Sequence, residues 1–424
     1  MAVAEPRLYP ETRPGTGNCR FCDAPLAHVF VDLGMSPPCE SFVSFEQLNH
    51  MEPFYPLCVY VCSTCFLVQL QEYVAPQAIF SHYAYFSSYS TNWLKHAEQY
   101  VAMISERLGL GAQSQVVELA SNDGYLLQYF KQRGIPCTGI EPAANVARVA
   151  QEQGIPTIVE FFGRELATRL RGEGLQANLL LGNNVLAHVP DINSFVGGMK
   201  ILLAPDGVIT MEFPHLVRLI AGNQFDTIYH EHFSYLSLRV VERIFAHHGL
   251  TVFDVDELPT HGGSLRIYAC HSGPAAPAPS TRVLAVRQAE DALGLDRLEG
   301  YAGFAERVNE VKFDLLECLI RLKRAGKTVV GYGAPGKGNT LLNYCAIRTD
   351  LLAYTVDRNP FKHGKYLPGT HIPIYPPEKI AETRPDYLLI LPWNLRDEIV
   401  SQMAFVREWG GQFIVPIPQV EIMS

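Results

Sequence analysis

Nowhere in the 424-residue chain is there a run of about 18 uncharged apolar residues, so a membrane-spanning helix is not expected. The opening MAVAEPRLYPETRPGTGN carries neither the charged nor the apolar region of an export signal, and a cytoplasmic protein is the expectation. Charge is scarce as well: 18% of residues are charged, the formal net charge is -9, and no Lys/Arg-rich stretch occurs, so nucleic acid is not an expected partner. Ten cysteines are too few for a disulfide scaffold in a chain this long, and in a reducing compartment paired cysteines point to metal or to nothing. Core-building material is ample, with 48% hydrophobic and 11% aromatic residues, which suits a packed globular enzyme with two or three cores. A monomer is expected.

Three segments follow from the pattern. The first, residues 1–82, is rich in Pro, Cys and aromatics and has little helical periodicity. The second, residues 83–273, alternates helical patterns with the apolar runs QVVEL, TGIEP, ANLLLGNN, GVITMEFP and SLRIYAC, the signature of βαβ units and a largely parallel sheet. The linker-like SGPAAPAPST then opens a third segment, residues 274–424, where a helical stretch over 282–325, broken near Leu293-Gly294, precedes a second α/β alternation in KTVVGYGA, LLAYTVD, DYLLILP and GQFIVPIP. The predicted architecture is α/β: a small N-terminal metal module, a central Rossmann-like domain and a C-terminal Rossmann-like α/β domain.

In the first segment, Cys19-x-x-Cys22 and Cys62-x-x-Cys65 form two knuckles separated by 39 residues. Each knuckle can supply two adjacent vertices of a zinc tetrahedron, and two knuckles close a four-sulfur site with no position left for chemistry. The zinc is therefore expected to be structural, its removal unfolding the first segment without directly altering the chemistry. Four unrelated core cysteines is the alternative. Cys39 and Cys58 are read as packed apolar residues.

In the second segment, VVELASNDGYLL (116–127) reads as a buried strand, a turn and a helix beginning after Gly124. A ligand lying across the carboxyl ends of parallel strands would meet that turn. Glu141, 18 residues past Asp123, ends the next strand, where a carboxylate can accept both hydroxyls of a ribose. Turn plus acid is the pattern of a class I methyltransferase, although a plain α/β turn with a solvated glutamate has the same spelling. The third run leaves Asn183, Asn184 and His188 at the same sheet edge. The candidate cofactor contacts, for S-adenosylmethionine, are Glu118, Asn122, Asp123, Gly124, Glu141 and Asn184.

The segment DTIYHEHFSYLS (226–237) concentrates Tyr229, His230, Glu231, His232 and Tyr235 before an amphipathic helix that Ser237 can cap. Proton abstraction needs such a density of acid and base groups. In an extended chain His230 and His232 would share one face and Tyr229 and Glu231 the other. A His-x-His metal pair and a structural hydrogen-bonded network remain alternatives. Downstream, Ser264 and Arg266 in THGGSLR, with the amides exposed by Gly262 and Gly263, are candidates for holding a phosphate; a tight turn into a strand is the other reading.

The third segment carries G-x-G-x-x-G at Gly331, Gly333 and Gly336, with Asp357 closing the next strand 21 residues later. This matches a dinucleotide fingerprint, so an NAD-dependent oxidoreductase is a rival expectation. Lys337, Asn339 and Thr340 in the same loop equally suit the diphosphate of a nucleotide-linked substrate. A non-catalytic nucleotide-sugar binding protein is a third reading.

Taken together the motifs resemble the sugar C-methyltransferases that act on TDP-linked 4-keto-6-deoxyhexoses in antibiotic sugar pathways. The matching pieces run in order along nearly the whole chain: DLGMSPP and YVCSTC with the four cysteines, YFSSYS, ELASNDGYLL, YHEHFSYLS, GGSLR, GYGAPGKGNTLLNY and PGTHIPI. Gly336 stands where that loop usually carries alanine. The resemblance implies structural zinc in the first domain, S-adenosylmethionine in the middle domain, and a third domain that helps enclose the nucleotide sugar. It also implies His232 as general base, with Tyr229, Glu231 and His188 around the keto sugar and Tyr83 contributed from the tyrosine-rich segment.

Overall fold

The computed structural model describes residues 17–75 and 86–424. Three short strands come first, β1 (His28–Ser36), β2 (Tyr55–Val61) and β3 (Val68–Leu70). The middle of the chain supplies β4 (Val116–Leu119), β5 (Cys137–Ile140), β6 (Thr157–Ile158), β7 (Ala177–Asn183), β8 (Leu203–Pro214), β9 (Ser234–Tyr235), β10 (Leu250–Leu258) and β11 (Ser264–His271). The last part adds β12 (Val329–Tyr332), β13 (Thr355–Val356), β14 (Ile374–Tyr375), β15 (Tyr387–Ile390), β16 (Gln412–Val415) and β17 (Glu421–Met423).

The middle strands, β9 excepted, form one sheet in the order β10-β11-β8-β7-β4-β5-β6. Its β4, β5, β6, β7 and β8 are parallel, and β11 enters antiparallel between β8 and β10. The apolar runs QVVEL, TGIEP, ANLLLGNN, GVITMEFP and SLRIYAC all lie on strands of this sheet. Such runs are nearly continuous because helices cover both faces of the sheet, leaving few positions for polar residues. The strand order reverses between β4 and β7, and the crevice beyond their carboxyl ends is where a ligand of an open α/β sheet binds. The third sheet, β14-β13-β12-β15-β16-β17, repeats the doubly wound plan with one antiparallel edge. Two helices, Thr281–Ala292 and Phe304–Arg324, lead into it, the first capped by the Ser280 hydroxyl, which accepts from the Val283 amide.

The first sheet is not built from the first segment alone. Its order is β1-β2-β3-β9, so the strand at its edge comes from the segment dense in acid and base groups. One buried cluster runs from Phe30, Val59 and Leu70 of this sheet through Phe225 and Ile228 to Leu341 and Ile414 of the third unit, and another joins Cys19, Cys62 and Leu67 to Leu119, Phe213 and Phe245 of the middle unit. Of the two or three cores expected, two are shared between units, while a further one, around Tyr100, Phe130 and Tyr268, belongs to the middle unit. No helix among the described residues is long and apolar enough to cross a membrane.

Candidate active site

A cavity of about 570 Å³ opens beyond the reversal point, lined from the middle unit by Asn122, Glu141, Asn184, His188, Tyr229, Glu231 and His232. Cys39 and Glu40 reach it from the first unit, and Gly336, Lys337 and Lys362 from the third.

Its floor is a turn held in an unusual conformation. Ala120 (φ 56°), Asn122 (φ 49°) and Gly124 (φ 77°) all have left-handed backbones, as do Asn184 (φ 54°) and His261 (φ 53°) on the facing wall. Left-handed non-glycine residues cost energy and persist where the surroundings over-determine them, commonly at functional sites. Gly124 is required there twice over, since a Cβ would also lie 2.5 Å from Ile155 Cδ1. Glu141 braces the turn: its two carboxylate oxygens accept the Asn122 and Ala143 amides, each at 2.9 Å. Burial, partly offset by those two amides, raises its carboxyl to about 6. Beneath it Glu118 is fully buried with neither oxygen hydrogen-bonded, and burial next to the Asp123 and Glu141 charges pushes its carboxyl well up. A buried acid without a donor suits a ligand that supplies one. Glu118, Asp123 and Gly124 lie behind the cavity surface; the Asn122 and Asp123 side chains instead accept the amides of Ser87 and Ser88 (3.0 and 3.2 Å), tying the tyrosine-rich segment to the turn. Tyr83 lies outside the described residues.

The stretch Tyr229–His232 is not extended. A turn closes from the His232 amide to the Tyr229 carbonyl (2.9 Å), which separates the two histidines. His230 points to the Pro56 carbonyl (3.2 Å) and packs edge-on to Tyr55, so the His-x-His metal pair is not formed, and Tyr229, Glu231 and His232 all line the cavity. His232 Nδ1 sits 2.7 Å from the Thr227 carbonyl, which can only accept; the ring proton is on Nδ1 and Nε2 is a lone-pair base. Its ring lies 4.0 Å from that of Tyr229 and 4.6 Å from that of His188, centroid to centroid. Burial and the neighbouring His188 hold the His232 imidazole well below its ordinary range, and burial lowers His188 to about 4. Both rings are neutral at neutral pH. Burial, reinforced by the Glu40 charge, raises Glu231 to about 8, so its carboxyl is protonated and can donate. After this turn β9 begins, and Ser237 caps the helix Leu238–His247 by accepting the Val240 amide, as expected.

Two expected anion sites are arranged otherwise. Ser264 and Arg266 stay off the cavity: the Ser264 hydroxyl donates to the Thr260 carbonyl (3.0 Å), and Arg266, paired in register with Glu212 across β11 and β8, bonds that buried carboxylate at 2.6 Å and covers the Tyr100 ring. Although burial alone would raise Glu212, the hydrogen bond from His96 and the Arg266 charge bring it down to about 2. In the third unit's glycine loop, Asp357 accepts the Ala334 and Asn359 amides (2.7 and 2.8 Å), and the Glu40 carboxyl takes the Gly336 amide at the helix N-terminus beside Lys362, 3.9 Å away. A dinucleotide needs the anion position at the helix N-terminus that Glu40 occupies. Asn339 donates to the Cys39 carbonyl (2.6 Å) and Thr340 to the Ile228 carbonyl (2.9 Å), fastening the helix Gly336–Tyr344 to the other units. Lys337 alone of that loop trio faces the cavity, its Nζ 2.9 Å from Asn394 Oδ1 and over the Trp393 ring. Cys39, Glu40, Lys362, Trp93 and His261 were not expected at the site; each comes from a position whose local sequence looks like ordinary core or loop.

The four knuckle sulfurs lie within 4.8 Å of one another, with Cys19–Cys65 and Cys22–Cys62 each at 3.5 Å. A tetrahedron with zinc–sulfur bonds of ~2.3 Å has edges of about 3.8 Å, so the set fits zinc. In both knuckles the residue after the second cysteine is left-handed, Asp23 (φ 61°) and Phe66 (φ 64°), which folds the backbone around the sulfurs. β9, the strand that follows His232, pairs with β3, so the metal module and the segment bearing His232 share one sheet.

Family models match in three consecutive stretches: a zinc binding domain over residues 19–80, a methyltransferase domain over 93–255 and a C-methyltransferase C-terminal domain over 259–418. The chain is also 39% identical over 412 residues to C-methyltransferase NovU of Streptomyces niveus, a match covering 96% of each. The chain belongs to the C-methyltransferase family. Solved structures with similarity include magnesium protoporphyrin IX methyltransferase from Synechocystis (15% identity, TM-score 0.34, 42% of this chain and 83% of that one) and an S-adenosylmethionine-dependent methyltransferase from Anabaena variabilis (15%, 0.35, 42% and 86%). The enzyme is an S-adenosylmethionine-dependent C-methyltransferase with a zinc-binding first unit.

Proposed function

We propose that the enzyme methylates a carbon next to the ketone of a nucleotide-linked, TDP-type 4-keto-deoxysugar, with His232 as the base. The observation that carries this reading is the His232 ring, buried, neutral and fixed by Thr227 so that Nε2 faces a cavity containing proton donors. Such an Nε2 can take the proton from the carbon beside a ketone, provided the enolate oxygen is stabilised as charge develops. The Tyr229 hydroxyl and the protonated Glu231 carboxyl are the donors placed to do so, while His188 packs against the base and keeps it out of water. Glu141, Asn122 and Asn184 would hold S-adenosylmethionine; bound there, the cofactor supplies an electrophilic methyl group. Lys337, at the wall shared with the third unit, suits the diphosphate of a nucleotide sugar.

The test is turnover: zinc-replete enzyme with S-adenosylmethionine and TDP-4-keto-6-deoxyglucose, followed by mass spectrometry of the sugar nucleotide. A gain of one CH2 unit on the sugar ring is expected. Methylation of an unrelated carbon acid with none of the sugar nucleotide would overturn the substrate class while leaving the methyltransferase assignment in place.

A further inference from the structure

We propose that Arg20, within the first zinc knuckle, is a positioning residue that ties the metal module to the two cavity segments bearing His188 and His232. It lies between the ligands Cys19 and Cys22, yet its guanidinium reaches out of the knuckle. One arm donates to the Pro190 carbonyl at 2.8 Å, in the cavity wall two residues past His188, and the other to the Leu70 carbonyl at the end of β3. The same group lies 5.3 Å from the centroid of Phe233, the residue after His232.

The backbone around it closes the connection. The Leu70 amide donates to the Phe233 carbonyl (3.1 Å), and the Phe233 amide donates to the Ala187 carbonyl (2.8 Å), so Arg20 spans a corner where β3, the His188 wall and the His232 turn meet. On the metal side, Gln69 accepts the Arg20 amide (2.9 Å), donates to the Cys19 sulfur (3.1 Å) and pairs with Ser234 in the sheet. From beyond the wall, Asn193 donates to the Phe21 carbonyl (2.9 Å). A planar fork with divergent N–H groups serves two carbonyls in different segments while lying near the Phe233 ring; lysine, whose three N–H groups radiate from one nitrogen, holds the two less rigidly. The chain from Cys19 to His232 is thus made of hydrogen bonds and ring packing, and the base inherits its position from the knuckle. The catalytic meaning rests on His232 being the base.

The experiment compares Arg20→Met and Arg20→Lys with wild type. Zinc content and S-adenosylhomocysteine affinity should be retained, while kcat falls roughly 10- to 100-fold in Arg20→Met and less in Arg20→Lys, the scale expected for a displaced reacting group. Independently of turnover, the imidazole signals of His188 and His232 in nitrogen-15 spectra should move. Unmoved signals and wild-type kcat in zinc-loaded Arg20→Met overturn the proposal. Should Arg20→Met fail to fold, Arg20→Lys decides alone: wild-type kcat and unmoved signals overturn it, reduced kcat with intact cofactor affinity upholds it. Moved signals with undiminished turnover uphold the tie and instead remove His232 from the base role.

Discussion

The middle and third units each end a first parallel strand in a tight turn, start a helix there, and end the neighbouring strand in a carboxylate. In the middle unit that carboxylate, Glu141, lines the cavity, and the buried Glu118 beneath has no donor of its own. In the third unit the equivalent Asp357 accepts two backbone amides just as Glu141 does, but it does not line the cavity, and a carboxyl from the first unit, Glu40, stands at the helix N-terminus. The unit with the fuller glycine fingerprint is therefore the one whose ligand position is filled by the protein itself. A loop becomes a site through what the rest of the chain leaves vacant around it, and here the third unit has turned its loop into a wall of the other unit's cavity.

The strongest way to break this comparison is to remove the proposed base from the middle unit. His232→Ala should reduce turnover by about 10²- to 10⁴-fold, the usual contribution of a positioned acid or base. Its S-adenosylhomocysteine affinity by calorimetry should be unchanged, because the residue faces the substrate side. Undiminished turnover would remove the base from this segment altogether.

Next in size is Glu141→Ala. Hydrogen bonds to a charged group are worth about 1.5–3 kcal/mol, so S-adenosylhomocysteine should bind roughly 10- to 100-fold more weakly. Part of that loss would come through the turn, since the Asn122 and Ala143 amides lose their acceptor. Wild-type affinity in this variant would move the cofactor elsewhere.

A smaller effect concerns pH. Glu231 is raised to about 8, and as a donor it acts in its protonated form, so kcat should fall as pH rises through about 8. His232 is depressed and acts in its neutral form, so no loss is expected on lowering pH through the ordinary imidazole range near 6.5. Glu231→Gln keeps a donor that does not titrate; its kcat profile should lose the alkaline limb. A limb that survives the substitution assigns it to another group.

Much of this was legible in sequence because it is local. The knuckle spacing fixes four sulfurs regardless of what lies outside, and the buried strands β4, β7, β8, β12 and β15 announce themselves as apolar runs. Of the two-residue strands, β13 lies in the run LLAYTVD, whereas β6, β9 and β14 carry no pattern, and β9 matters most because it joins the metal module to the turn bearing His232. Arg266 was misread because two glycines before a guanidinium spell a phosphate loop, while the register across β11 and β8 places it against Glu212. The facing of His230 and His232 depended on a turn between them that residue types alone do not distinguish from a strand. Glu40 and Lys362 reach the cavity only through long-range packing.

The smallest expected effect sharpens the comparison most. Asp357→Asn keeps the size of the side chain and one acceptor oxygen, so one of the Ala334 and Asn359 amides loses its partner, at a cost to stability of about 1–3 kcal/mol. The measurement is paired: thermal unfolding, where a lower midpoint is expected, and calorimetry with S-adenosylhomocysteine and with NAD. If the third loop is a wall, cofactor affinity stays at the wild-type value and NAD shows no binding to either protein, since Glu40 holds the helix N-terminus in both. Binding of NAD to wild type that Asp357→Asn abolishes would make Asp357 a ribose acceptor after all, and the two units would have to be regarded as two sites.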